Sequence, residues 1–422
     1  MIPPPTGQSF RSRLGTAVRL AVDSIRAHKL RSALTLLGVV IGVGSVVLVG
    51  AAIDGLGAYA EDSTAKVFGT ESFMVGQILE VGRSTRAERA AKLRRNKRFH
   101  LDELQYLRTT TGTQILYSPY RARVEDIKRN DVTFEGAAIL GVSHALADIR
   151  EVAVEQGRFI TEQEEQNRQN VCVIGNEIWT TLFPDVSPLG QTIKVRGLEF
   201  TIVGVQERLG SVGGRSQDNQ VYIPTGSFTR LFGPELSMAI FGRPRPGMGL
   251  DLETGVDITR VALRTRFKTG PGAADNFDIL TPDSIRSFVD SILSLVAAVV
   301  VPVTLISLVV GGIVIMNIML VSVTERTREI GIRKSMGARR GDIQLQFLTE
   351  AVLLAAIGGL IGLSLGWMGA EILSVILQVK LPVTMTYVVL SIAVSSVAGI
   401  VSGWYPALRA ARLDPVAALR AE

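Results

Sequence analysis

Four runs of this chain contain no Asp, Glu, Lys, Arg or His: Ser32–Ile53, Ser291–Thr324, Ala351–Ala370 and Leu381–Leu408, of 22, 34, 20 and 28 residues. Crossing a bilayer as a helix takes about 20 apolar residues, because 1.5 Å per residue must cover roughly 30 Å of hydrocarbon. A buried helix in a soluble core needs about 10–14 and would not recur four times. Each run is therefore expected to span a membrane. The first is preceded by 31 residues and no clear cleavage site follows it, so it reads as a retained anchor rather than a signal peptide. Between Gly55 and Asp290 lies a polar stretch with no further span. The expected fold class is an α-helical membrane protein with four transmembrane helices, arranged 1+3, and a large extracytoplasmic mixed α/β domain.

A net charge of +6 and a pI near 9.5 could point to an acidic ligand such as nucleic acid. Partitioning the charge removes that reading. The balance is +5 before the first run, +3 over Glu325–Asp342, +1 from Arg409 onward and −1 over the large polar stretch. Positive flanks and short loops stay cytoplasmic. Both termini and the loop between the second and third spans are thus expected inside, the large domain outside, and no nucleic acid is expected as a partner. The segments follow: 1–31, a cytoplasmic amphipathic segment; 32–54, the first span; 55–290, the extracytoplasmic domain; 291–324, a stalk and the second span; 325–346, a cytoplasmic loop; 347–372, the third span; 373–383, a short external loop; 384–408, the fourth span; 409–422, a cytoplasmic tail. Phe10, Leu14, Val18, Ala21, Val22 and Ile25 share a helical face, which suits a helix on the inner leaflet or one packed on a partner.

Within the external domain, Leu101–Thr109 is spaced for a helix, while Ser72–Val81, Val132–Leu140, Val171–Ile174, Gln220–Pro224 and Val261–Arg266 read as strands. Gln191–Val205 alternates on both sides of an Arg196-Gly197 hairpin turn. Glu162, Glu164 and Glu165 read as a helix start after a Thr161 cap rather than a cation site. The basic run Arg83–Arg98 reads as a solvated, mobile excursion.

A search for reaction chemistry is negative. One cysteine, Cys172, excludes a disulfide framework, and three histidines leave little for a metal site. No phosphate-binding loop, metalloprotease or nucleophile-elbow motif occurs, so no catalytic, cofactor-binding or metal-ligating residue is expected. Glycine clusters in the membrane runs instead. Gly38 and Gly42, and Gly358, Gly362 and Gly366, make small faces for close helix approach, within the chain or across a dimer. Pro302 should kink the second helix or mark where a stalk enters the bilayer. The spans carry no ionisable group in their cores, with Glu350 and Glu371 at the ends of the third run placed to reach water. This argues against a coupling-ion pathway and for motion transmitted by helices.

The segment TERTREIGIRKSMGARRGDIQLQFLTEA (Thr324–Ala351), the tail GWYPALRAARLDPVAALR (Gly403–Arg420) and the start HKLRSALTLLGVVIGVGSVV (His28–Val47) resemble the MacB/FtsX-type permeases of ABC transporters. GRFITEQEEQNRQNVCVIG, LFPDVSPLGQTIKV and the VYIP at Val221–Pro224 are similar to that family's periplasmic core. The resemblance implies a permease dimer, homomeric or heteromeric, with cytoplasmic ABC ATPase subunits that bind the ATP and Mg. A short helix around Ile330–Gly337 would seat in the ATPase, with Arg326, Glu329, Ile330, Arg333, Lys334, Met336 and Gly337 as contacts and Ile332 as a further apolar anchor. It also implies a porter-like external part with an inserted subdomain, roughly Val152–Gly249. This sequence departs from the fused members in carrying no ATPase domain, so hydrolysis is expected from another chain. The expected role is efflux by mechanotransmission, with a periplasmic adaptor and outer-membrane channel as further partners. Control of a cell-wall hydrolase and release of lipoproteins are the alternatives.

Overall fold

The computed structural model describes residues 29–420, apart from 70, 81, 83, 185, 213–214, 235–236 and 378. The expected amphipathic segment Phe10–Leu30 lies almost wholly outside the described residues. Contacts divide the chain into two units, one of Ala60–Val289 and one of Met1–Tyr59 with Asp290–Glu422.

The Ala60–Val289 unit is mixed α/β. Its strands are β1 (Phe73–Gly76), β2 (Ile115–Arg129), β3 (Val132–Val142), β4 (Val154–Gly157), β5 (Val171–Ile174), β6 (Thr192–Val195), β7 (Leu198–Gln206), β8 (Ser211–Val212), β9 (Arg215–Ser216), β10 (Gln220–Pro224), β11 (Ala239–Pro244) and β12 (Asp278–Leu280). All but β8 and β9 join one sheet in the order β12-β1-β11-β2-β3-β10-β5-β7-β4, with β6 against β2 and β7. Most neighbours are antiparallel, but β10 runs parallel to β3 and β5 parallel to β7.

Three cores lie along this sheet, and the long β2 borders all of them. Its first half, with β1 and β11, packs Ile115, Tyr117, Phe73 and Ile240 under helices Leu101–Thr111 and Leu252–Arg266, which contribute Leu107 and Leu263. Its second half belongs to the core of Ile127, Ile139, Cys172, Phe200, Val221 and Phe228. The third, of Phe68, Leu140, Val142, Val173, Tyr222 and Phe241, joins β3, β5, β10 and β11. The expected inserted part, roughly Val152–Gly249, covers β4 to β11 of this sheet.

The Arg196-Gly197 turn is a two-residue hairpin pairing Val195 with Leu198. Arg196 at φ 49° and Gly197 at φ 84° both adopt the left-handed conformation that such a turn demands. Two expectations are corrected. Val261–Arg266 is the end of a helix, not a strand. Leu252, Val256, Thr259 and Leu263 recur at helical spacing, the Asp251 side chain accepts from Thr254 N at 3.1 Å, and Val261 faces solvent. The Arg83–Arg98 run holds a helix, Arg86–Arg95, begun by a Thr85/Glu88 capping box. Lys92 meets Asp278 at 2.8 Å, and buried Asn96 donates to Gln77 O at 2.7 Å and to Asp278 at 3.1 Å. Those bonds anchor a run whose charge alone suggested mobility.

The other unit holds the apolar helices. Among the described residues four helices are long and apolar enough to cross a membrane: Lys29–Phe68, Pro282–Glu325, Arg340–Leu377 and Met385–Arg412, called spans one to four below. The helices of spans one and two continue into the Ala60–Val289 unit. Span two is one uninterrupted helix through Pro302.

The glycine faces meet within the chain. A Cβ built on Gly38 falls 2.5 Å from Gly311 Cα, and one on Gly42 falls 3.5 Å from Leu308, so spans one and two approach backbone to backbone. Gly358 faces Val39, and a Cβ built on Gly362 or Gly366 would fall 2.8 Å from the carbonyl oxygen of Val40 or Gly44 respectively, so span three is seated closely on span one. Lipid gives apolar helices no reason to leave it for one another, so such close backbone contact supplies the attraction.

Candidate functional site

The segment between spans two and three is helical over Thr327–Ser335. Span two stops at Glu325, and Arg326, at φ −102° and ψ 16°, turns the chain while its N–H still donates to Ser322 O at 3.1 Å. The connector helix ends in a Schellman motif. Gly337 N donates to Lys334 O at 3.0 Å and Ala338 N to Arg333 O at 3.1 Å, with Gly337 at φ 96°. Glycine suits that left-handed position because it has no Cβ to clash. Asp342 then accepts from Arg339 N at 3.3 Å and starts span three.

One face of the connector is committed to this chain. Ile330, 3% exposed, sits in the cluster of Val323, Ile343, Phe347, Ala407 and Ala410. Arg326 lies 3.7 Å from the carboxylate of Glu350, and Arg333 donates to Gln346 Oε1 at 2.7 Å. Lys334 Nζ donates to the carbonyls of Ala411 at 2.7 Å and Leu413 at 2.6 Å. Carbonyls at the C-terminal end of a helix lack partners within it and carry the negative end of its dipole, so an ammonium is well matched to them. Burial pushes the Lys334 amine below the usual lysine range; Arg340 adds to that and Asp414 opposes it.

The opposite face is free of such ties. Arg328 and Glu329 are exposed, Ile332 is 43% exposed and Met336 76%, with Gly337 exposed beyond them. Arg328, Ile332 and Met336 fall at successive i,i+4 positions, one stripe on the helix. Of the residues expected to touch a partner, Glu329, Met336 and Gly337 are thus presented outward. Ile330 is in the chain's own core, and Arg326, Arg333 and Lys334 hold the connector to spans three and four. Arg328 was missed, although its i,i+4 spacing to Ile332 was visible. Glu350 is also a correction: at 4% exposure it is buried against Arg326 rather than open to water. Its position at the edge of a charge-free run gave no sign that the preceding loop would fold back over it.

Among the described residues no three His, Cys, Asp or Glu side chains gather where they could hold a metal ion. Cys172 is fully buried in the second core, and that burial pushes its thiol far up, so it stays a neutral packing residue.

Residues 32–265 match the MacB-like periplasmic core domain family, and residues 301–415 the FtsX-like permease C-terminal family. The macrolide export ATP-binding/permease protein MacB of Bdellovibrio bacteriovorus is 33% identical over 408 residues, covering 95% of this chain and 61% of that protein. The uncharacterized ABC transporter permease YknZ of Bacillus subtilis is 31% identical over 409 residues, covering 96% of this chain and 98% of that one. The chain therefore spans less than two thirds of the first relative's length and nearly all of the second's. The periplasmic region of MacB from Actinobacillus actinomycetemcomitans superposes with a TM-score of 0.42 at 16% identity, over 54% of this chain and 95% of that one.

Proposed function

The chain belongs to the family of MacB-like, FtsX-type ABC transporter permeases, and from that premise we propose that it couples a separate cytoplasmic ATPase to movement of its extracytoplasmic domain. The observation that carries this reading is the two-faced connector helix. Its inner face is tied to spans three and four by Arg326–Glu350, Arg333–Gln346 and Lys334 on two backbone carbonyls. Its outer face offers Met336 and Ile332 between Arg328 and Glu329. An exposed apolar pair flanked by charges is what a docking partner desolvates and orients. Force applied to that face is delivered to the membrane helices because the inner face cannot slip. ATP and Mg are assigned to that ATPase, and none of the residues described above is proposed to bind them.

The charge partition supports an orientation with the connector and both termini on the cytoplasmic side of the inner membrane and the large domain outside. The permease works as a dimer, and export from the envelope with a periplasmic adaptor and outer-membrane channel is the favoured role.

Affinity purification in mild detergent tests the coupling. The wild-type chain is expected to retain an ABC ATPase subunit, and Met336→Asp to lose it while inserting normally. Equal recovery with both would refute the outward face as the coupling contact.

A further inference from the structure

The tail after span four is built into the same platform as the connector helix. Asp414 caps the short helix Pro415–Arg420, accepting from Val416 N at 3.1 Å, and Ala418 N donates to Asp414 O at 2.9 Å. This tail helix packs against the connector helix. Its Ala418 is buried, while Val416 is 61% exposed. The joint is made by one side chain, because Lys334 Nζ bridges Ala411 O and Leu413 O, on either side of the end of span four. Two short helices from distant parts of the chain are thereby held side by side, each with an exposed apolar residue.

We propose that the ATPase contact is composite, and that the tail helix supplies a second wall through Val416, with Lys334 the residue that positions it. The proposal rests on the coupling function argued above. The partner it fits is a protein surface with an apolar recess and a predominantly acidic rim. Exposed cations on this platform, Arg328, Arg339, Arg340, Arg409 and Arg412, outnumber the exposed carboxylates Glu325, Glu329 and Asp414. That excess excludes a basic partner surface and favours a carboxylate-rich one.

The test titrates the purified ABC ATPase subunit, recovered with the wild-type chain, against the full-length permease in detergent. Val416→Asp is expected to weaken association at least tenfold, as Met336→Asp does, with unchanged thermal unfolding of the permease. Val416→Ala should weaken it about threefold, which keeps the test valid if the aspartate variant folds poorly. Wild-type affinity in both Val416 variants, with loss in Met336→Asp, overturns the composite surface and leaves the coupling role standing. Wild-type affinity in the Met336 and Val416 variants alike overturns both. Lys334→Met should lose affinity as Val416→Asp does, and Lys334→Arg, which retains a cation over the two carbonyls, should restore most of it. Equal affinity for Lys334→Met and wild type overturns the positioning role.

Discussion

Two carboxylates at one helix start divide their work in the extracytoplasmic domain. Glu164 closes the capping box with Thr161 and accepts two bonds from Arg158, at 2.7 and 2.8 Å. The Arg158 bonds, and then those from Thr161, overcome burial and bring its carboxyl down to about 2, against 4.5 for a free one. Stability from a depressed acid is present above the unfolded value and is lost as pH falls through the folded one. Glu164→Gln should therefore cost about 1–2 kcal/mol near neutrality, as loss of a charged hydrogen-bond network does. The difference from wild type should close between pH 4.5 and about 2, read by thermal unfolding. Neighbouring Glu165 instead holds His144, accepting from its backbone N at 2.8 Å and pairing with Nδ1 at 2.7 Å. That bond to Glu165 raises the His144 value above 6.5, against the pull of burial and Arg108. The sign is opposite here: the contribution is full below the unfolded value and is lost as pH rises through the raised one. Glu165→Gln should lower the melting temperature more at pH 5.5 than at pH 8.5, and an equal loss at both would remove the ionic part of the contact. The Thr161 cap and the helix start were legible because the capping box is a local pattern. His144 and Arg158 were not, since the turns that bring them to these glutamates leave no periodic trace.

Elements whose cause is local were read correctly, and those fixed from a distance were not. The Arg196-Gly197 hairpin, β5 and β10 follow from alternation and turn chemistry within the segment. Val261–Arg266 was misread because a short apolar run fits either period, and the deciding residues, Asp251 and Leu252, lie nine and more positions upstream. The helix Arg86–Arg95 looked mobile because its anchor, Asp278, is almost two hundred residues away. The small-residue faces of the spans were plain in the sequence, but not which faces they meet. Gly38→Val should force spans one and two apart at Gly311 and destabilise the folded permease by about 1–3 kcal/mol, the usual cost of overpacking. Gly341→Ala, where an added Cβ meets nothing within 4 Å, is the control and should be neutral or slightly stabilising. The measurement is detergent melting of both variants, and equal melting temperatures would discount the Gly38 contact.

For the molecule as a whole, four charge-free runs carried most of the architecture of the apolar helices, since lipid tolerates few alternatives. A reporter fused at Thr85 should face outside and one in the tail after Arg412 should face inside, and a cytoplasmic signal at Thr85 would invert the proposed orientation. The purified permease should hydrolyse no ATP above background until the partner subunit is added; turnover by the chain alone would transfer the catalytic role to it. The sharing of β2 among several cores was not legible in the sequence, because such a strand carries no local mark of which core each residue enters. Strand β1, which opens the sheet, pairs with β12, which closes it, Val75 lying opposite Ile279. Entry and exit are thus neighbours, and Phe68 and Ile285, on the helices that flank them, pack into the same domain core. A domain attached this way is exchangeable cargo for its host. A different folded module with adjacent ends, grafted between Val75 and Ile279, should leave the four helices able to insert and pack, so that one membrane engine can be fitted with many external tools.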